Sequence, residues 1–385
     1  MKRIVLAALL IFSLLLSSCQ GLSAETPAKK LLDGKKVAFL GCSYTFRTYT
    51  VHKGMGMPSG MGDRAHDQET FYQFCKAKGA EVDVLDWTFS KHSLSDLVDL
   101  RQCKRCSRHH LDDLTDRYYD YVVMHDIFVF STAEEYLQIA EKTMALFREA
   151  NPNVQFYYVL HNGTYSQNYT EEWREAITLI ENAGAKFIDW ASLVWDIING
   201  QTEVPGAKYE YNKQSFIISQ SPTDGYHPNP LVGYLYSLMV YCAITGEKAV
   251  GQPYAFMTTQ EQLEKWENYK RVQYTYDDSS TERNERDTKF VEILSSAEDV
   301  KGLQTLVDSY MSKPSKAVSK YRIRFANEDG SLIEEKEYYY GKTVECADPQ
   351  KPGDEKGEYE FAGWDKPLSP CVEAAEYKAV YRKKQ

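Results

Sequence analysis

The chain has no surplus of positive charge. Its 45 lysines and arginines are outnumbered by 55 aspartates and glutamates, which gives a formal net charge of −10 at pH 7. A nucleic-acid partner is held by a basic face that neutralises phosphates, so this balance argues against one. The chain also opens without a full membrane span. The apolar stretch from Ile4 to Leu16 falls short of the roughly 20 residues that cross a bilayer. A Walker loop, a dinucleotide fingerprint and a His-Glu-x-x-His zinc helix are all missing, so no obligatory cofactor is implied. What is present is a chain of 385 residues, 43% of them hydrophobic, long enough for two domains or one large domain with a module and apolar enough for a real core.

Lys2-Arg3 precede the apolar stretch, and Leu16-Ser17-Ser18-Cys19 follow it. Positive charge, a short apolar segment and small residues before a cysteine mark a targeting segment rather than part of a fold. The pattern resembles the lipobox of bacterial lipoproteins, in which the cysteine is diacylated and becomes the new N-terminus. The resemblance implies a signal peptide over 1–18 and lipidation of Cys19, with a tether over 19–32. It also implies an exported chain anchored at the periplasmic face or the cell surface. An ordinary signal peptide with a chance cysteine is the alternative.

Eight cysteines are present, and export puts those beyond Cys19 in a disulfide-permissive compartment. Cys42, Cys75 and Cys242 lie in apolar or helical contexts and read as buried thiols. Cys346 and Cys371 fall in one small C-terminal region and are the expected long-range disulfide. Cys103-x-x-Cys106, followed by His109 and His110, has three readings: a local disulfide or surface pair, a structural zinc site, or redox chemistry. The last needs a thioredoxin-like unit that is not evident here.

From Lys35 onward, strand and helix patterns alternate. Apolar or alternating runs at Lys35–Leu40, Ala80–Trp87, Tyr118–Met124, Val154–Leu160 and Lys186–Asp189 read as strands. Helical periods at Glu69–Lys78, Ser93–Leu100, Ala133–Ala150, Glu171–Ala183 and Leu231–Thr245 separate and follow them. This alternation predicts an α/β fold, a parallel sheet between two helix layers. Residues 258–318 are densely charged with apolar positions at helical spacing, and read as a helical linker region. Residues 319–385 read as a separate β module, with a strand at Tyr321–Phe325, a turn at Asn327-Glu328-Asp329-Gly330, then Tyr340-Gly341-Lys342 and Gly363-Trp364. These marks resemble the internalin-type (Listeria–Bacteroides) β repeat of bacterial surface proteins. The resemblance implies adhesion or spacing, or a stabilising appendage, with Trp364 as a core anchor rather than a sugar platform.

Two motifs carry chemistry. Gly41-Cys42-Ser43-Tyr44-Thr45 follows the first strand, and Asp224-Gly225-Tyr226-His227-Pro228 precedes the last helix of the alternating region. A serine hydroxyl needs a base to take its proton, and the base needs a carboxylate to orient it. Ser43, His227 and Asp224 are those residue types, with the last two on one short loop. Together the motifs resemble the SGNH (GDSL-like) hydrolase superfamily, over roughly residues 33–250, within a hydrolase domain read at 33–257. The resemblance implies a three-layer α/β/α fold of flavodoxin-like type and a Ser43–His227–Asp224 triad. It also implies an acyl-ester substrate, most readily an O-acetylated carbohydrate.

The same family stabilises its oxyanion with the nucleophile's own N–H, a glycine after the second strand and an Asn after the third. Ser43 supplies the first of these. Ser90, in Phe89-Ser90-Lys91-His92, stands nearest the glycine position, and His125, in Met124-His125-Asp126, stands where the Asn would be. His125 therefore reads either as a substitute donor or as a structural residue. Asn162, after the fourth strand, reads as pocket lining or as a turn residue, and the Gly/Met-rich stretch 53–62 as pocket rim or solvated loop. Asp189 and Trp190, after the fifth strand, read as structural. The departures leave a second reading open, a surface glycan- or protein-binding scaffold with little or no catalysis, in which residues 319–385 make the contact.

Overall fold

The structure, a computed structural model, describes residues 31–42, 45, 70–89, 93–98, 111, 114, 116–127, 132–160, 169–216, 228–264 and 289–384. Its first sheet has five parallel strands: β1 (Lys36–Cys42), β2 (Asp83–Phe89), β3 (Tyr121–Asp126), β4 (Gln155–Leu160) and β5 (Ala185–Phe187), in the order β2-β1-β3-β4-β5. Beyond its first residue β1 is buried throughout, as are β3 and β4. Strands covered on both faces read as continuous apolar runs, which is why they were legible in the sequence.

Helices cover both faces. One layer holds α1 (Thr70–Ala77), α5 (Trp190–Ile198), α6 (Pro230–Thr245) and α7 (Ala297–Met311); the other holds α2 (Leu94–Val98), α3 (Ala133–Ala150) and α4 (Glu171–Asn182). In α3 a capping box starts the helix: the Glu135 N–H donates to Thr132 Oγ1 at 3.3 Å, and the Thr132 N–H donates to the Glu135 carboxylate at 3.1 Å. Its buried residues Tyr136, Ile139, Ala140, Thr143, Met144 and Phe147 form one stripe of helical period against the sheet. By contrast, α6 is buried on all sides from Pro230 to Ala243, because α1, α5 and α7 pack around it on the sheet.

The region read as a helical linker is part of this domain. Phe290, Ile293, Leu294, Val300, Leu303, Leu306, Val307 and Ala317 belong to the same apolar cluster as β1–β5. On α7, Glu298 and Lys301 are exposed while the inner stripe of Val300, Leu303, Leu306 and Val307 closes the core; the charge run at 281–287 lies outside the described residues.

The C-terminal sheet comprises β6 (Lys320–Ala326), β7 (Leu332–Tyr339), β8 (Tyr359–Trp364) and β9 (Ala375–Lys383), in the order β7-β6-β9-β8. β6 and β7 form the expected hairpin, with Gly330 at φ 84° in its turn. Phe325 lies 4.9 Å and Phe361 5.2 Å from the Trp364 ring, so Trp364 is a core anchor. The expected Cys346–Cys371 disulfide is absent, and both thiols are free. Cys371 faces the backbone carbonyls of Tyr338 and Glu373, while Cys346 sits beside Glu334, where burial and then that carboxylate push its thiol pKa up. Cys42, Cys75 and Cys242 are buried, as expected.

Candidate active site

In a sheet of this strand order, the direction of build-up reverses between β1 and β3, and the crevice at the carboxyl ends of those strands is where ligands bind. β1 ends at Cys42, so the chain leaves the sheet at that reversal point. The exit is tightly packed. A Cβ on Gly41 would lie 2.1 Å from Thr45 Oγ1 and 3.0 Å from the His125 carbonyl oxygen, so only glycine fits there. Thr45 is fully buried, its hydroxyl accepting the Cys42 N–H at 3.2 Å and hydrogen-bonded to His125 Nδ1 at 3.0 Å. Residues 42 and 45 are thereby fastened to each other and to β3.

His125 is 0% exposed. Its ring stacks on Tyr236 of α6 at 5.8 Å and meets Trp190 of α5 edge-on at 6.2 Å. Burial pushes its pKa down to about 3, so it is neutral at any ordinary pH. An oxyanion donor has to face the substrate. Among the described residues this imidazole packs against the helix layer and bonds Thr45, an arrangement that suits the structural alternative of the sequence reading.

Asp126 follows on the opposite face of β3, as alternate strand residues must. Sequence reasoning assigned it no role. It is 1% exposed, and its Oδ1 accepts the N–H groups of Leu94 at 3.1 Å and Ile127 at 2.8 Å. It thus ties the start of α2 to the end of β3. Burial outweighs those hydrogen bonds and raises its pKa from 3.8 to about 7. Between those values the folded chain holds a proton that the unfolded chain has lost, so the contribution is full below about pH 4 and is lost as pH rises through 7. His125 acts in the opposite sense: its contribution is lost as pH falls from 6.5 toward 3. Asp126→Asn isolates the first effect. Relative to the parent, the variant is expected to gain urea resistance steadily from pH 4 to 8; parallel stability curves would refute the assignment.

The described chain that follows the second motif starts at the same edge. Asn229 caps α6, accepting the N–H groups of Leu231 at 3.0 Å and Val232 at 3.3 Å, and Pro230 opens the helix. At the other end of α6, Glu247 pairs with Lys78 at 3.0 Å, in the turn that leads into β2, and the Ala243 carbonyl accepts from the Tyr157 hydroxyl at 3.3 Å. The C-terminus of α6 therefore lies at the edge where the strands begin. Its 16 residues, about 24 Å of helix, span the sheet and set Asn229 at the edge where the strands end. Cys42 and Asn229, which bracket the two motifs, share that edge. Ser43, Ser90, Asn162, Asp224 and His227 lie outside the described residues, as do Cys19, Cys103, Cys106, His109, His110 and the stretch 53–62.

Asp189, at the end of β5, is structural as read. It caps α5 by accepting the Ser192 N–H at 3.2 Å, and its other oxygen accepts from Ser315 Oγ at 2.6 Å and the Ala317 N–H at 3.1 Å. Sequence reasoning missed what surrounds it. Arg174 of α4 and Asp196 of α5, both almost wholly buried, reach across to the segment leading into the C-terminal sheet. Their partners are more than a hundred positions away, and no local pattern announces such pairs.

No family model matches the chain, and no curated protein does. Solved structures of similar shape include a variant of Axe2, an acetyl xylan esterase from Geobacillus stearothermophilus, at 12% identity and a TM-score of 0.36, covering 56% of this chain and 97% of that one. Another is a carbohydrate esterase family 2 enzyme with a carbohydrate binding domain from Corynascus thermopiles (Myceliophthora fergusii), at 14% identity and a TM-score of 0.32, covering 55% of this chain and 66% of that one. The fold assignment rests on the strand order and the two helix layers described above.

Proposed function

We propose that this chain is an exported, lipid-anchored serine esterase that removes O-acetyl or similar acyl groups from carbohydrate. One observation carries the reading: the described residues that bracket the two motifs, Cys42 and Asn229, stand at the same carboxyl edge of a sheet whose build-up reverses there. The chemistry follows from the residue types. Ser43 Oγ bonds to the acyl carbon while His227 takes its proton and Asp224 holds the imidazole. The sugar oxygen leaves with that proton, and water, deprotonated by His227, then releases the acid from Ser43. The N–H groups of Ser43 and Ser90 are the proposed donors to the oxyanion. The carbohydrate substrate comes from the resemblance of the motifs to SGNH hydrolases, and anchoring at Cys19 from the lipobox.

The burial of His125, which stands where that family carries Asn, favours a second reading in which the scaffold binds and does not turn over. A fluorophosphonate separates the two. On the esterase reading it inactivates hydrolysis of a chromogenic acetyl ester with one label per chain, and the label maps to Ser43. A chain that neither hydrolyses the ester nor takes the label supports the scaffold.

A further inference from the structure

A cavity of about 1130 Å³ opens where the C-terminal sheet meets the α/β domain, on the β5 side. β5 is three strand positions from β1, about 14 Å across the sheet, so this cavity is separate from the edge at Cys42. Its charge is unlike that of the chain. In a protein of net charge −10, four lysines line it (Lys186, Lys313, Lys316 and Lys320) against two acids. Of these acids, Asp189 is already occupied by Ser315 and Ala317. Lys316 is held by buried Asp196, while Lys186, Lys313 and Lys320 are exposed and make no ion pair among the described residues. Lys320 rests over the Tyr339 ring at 4.5 Å.

The rest of the lining suits a particular ligand. Among the aromatic rings lining it, Tyr321 is half-buried and lies 6.5 Å from Tyr340, while Tyr310 and the buried Tyr340 carry Lys316 over their faces at 5.0 and 4.5 Å, so Tyr321 is the ring that a ligand can stack on. Ser309 and Thr202 add hydroxyls to the lining, beside Ser319, whose hydroxyl donates to the Ser315 carbonyl, and Gln201, whose amide oxygen accepts from Tyr340. Aromatic faces stack on the C–H faces of pyranose rings, hydroxyls and amides bond sugar hydroxyls, and ammonium groups pair with carboxylates. The volume is at the upper end for small-molecule sites, room for several sugar units rather than one.

We propose that this cavity binds an acidic oligosaccharide, a chain of sugars bearing carboxylates, and holds it beside the domain independently of any chemistry at Ser43. The site needs both sheets, because Lys186 comes from β5 whereas Lys320 and Tyr321 come from β6.

The test is calorimetric titration of the mature chain with a trimer of galacturonic acid, against xylotriose, acetate and a short polyglutamate. The acidic trimer is expected to bind at least tenfold tighter than the neutral trimer or acetate, and the binding weakens as salt is raised. Lys313→Glu and Lys320→Glu, both at exposed positions, are each expected to weaken it about tenfold or more while leaving the melting temperature and any hydrolysis of a small ester unchanged. Tyr321→Ala is expected to weaken the trimer without affecting acetate. Equal binding of the neutral trimer, or indifference to both lysine reversals, overturns the proposal. Polyglutamate binding as tightly as the sugar reduces the cavity to a site for acidic peptides and overturns it too. Because no outcome depends on turnover, failure here leaves the esterase reading standing, and failure there leaves this one.

Discussion

Arg174→Ala is expected to cost about 3–5 kcal/mol and to split a single unfolding transition into two, with the C-terminal sheet melting first. Arg174 is 2% exposed and lies on α4, yet most of what it holds is elsewhere. Its Nε donates to the Tyr169 carbonyl at 3.2 Å, Nη1 to the Ala317 carbonyl, and Nη2 to the Tyr340 carbonyl at 2.8 Å. The Tyr339 ring lies 4.8 Å and the Tyr169 ring 5.7 Å from the guanidinium carbon. One planar fork thus satisfies buried carbonyls in the α/β domain, in the segment entering β6, and just after β7. Removing it leaves those buried carbonyls without the partner it supplied, at about 1–3 kcal/mol each before relaxation.

Lysine is no substitute, because a single ammonium on a flexible stem cannot address three diverging carbonyls; Arg174→Lys is expected to recover less than half of the loss. Around Asp196 a second contact repeats the logic: Tyr310 and Lys316 bond one carboxylate oxygen, and the Tyr340 hydroxyl lies 3.3 Å from the other. Urea unfolding followed by tyrosine fluorescence, with limited proteolysis of 315–345, reads the uncoupling. A variant within 1 kcal/mol of the parent, with that segment still protected, would mean that the clasp is dispensable.

These contacts mark the boundary of what the sequence could yield. The order of strands and helices was legible because buried parallel strands are written as unbroken apolar runs, and because helical periods such as those of 133–150 and 231–245 show within their own segments. The helical spacing in 289–311 was legible too. Its docking partner was not, since Val300, Leu303 and Leu306 say that a helix has an apolar stripe and not which surface receives it. At the candidate site, Ser43, Asp224 and His227 stood out as motif and spacing. His125 did not resolve, because donor and buried brace have the same letter, and only the packing of Tyr236 and Trp190 around the ring tells them apart. Asp126 was passed over for the same reason: a lone carboxylate at a strand end carries no mark of its burial. The paired cysteines of the C-terminal module misled, because membership of one small module sets no distance between two Cβ atoms.

Ser43→Ala is expected to lower kcat for acetyl-ester hydrolysis about a thousandfold or more, upwards of ~4 kcal/mol in transition-state stabilisation, with little change in KM. The size follows from the role. A nucleophile forms its bond only on the way to the tetrahedral state, so its removal falls on kcat, while the ground-state complex keeps its contacts. The residual rate is that of an oxyanion site acting on water without covalent help. The described residues on either side of this position are fixed: Gly41 admits no side chain, and Thr45 is bonded to His125 of β3. On the proposed role, a nucleophile between two fixed residues owes part of its rate to fixed geometry, so releasing the Thr45 fastening should imitate its loss in part. Thr45→Val keeps the shape and removes the hydroxyl that binds Cys42 and His125. It is expected to lower kcat about tenfold or more without abolishing labelling by a fluorophosphonate. His227→Ala should match Ser43→Ala, and the double variant should be no worse than either, because two parts of one proton-transfer unit cannot be lost twice. Additive losses would separate His227 from Ser43, and undiminished hydrolysis in Ser43→Ala would place the nucleophile elsewhere in the chain.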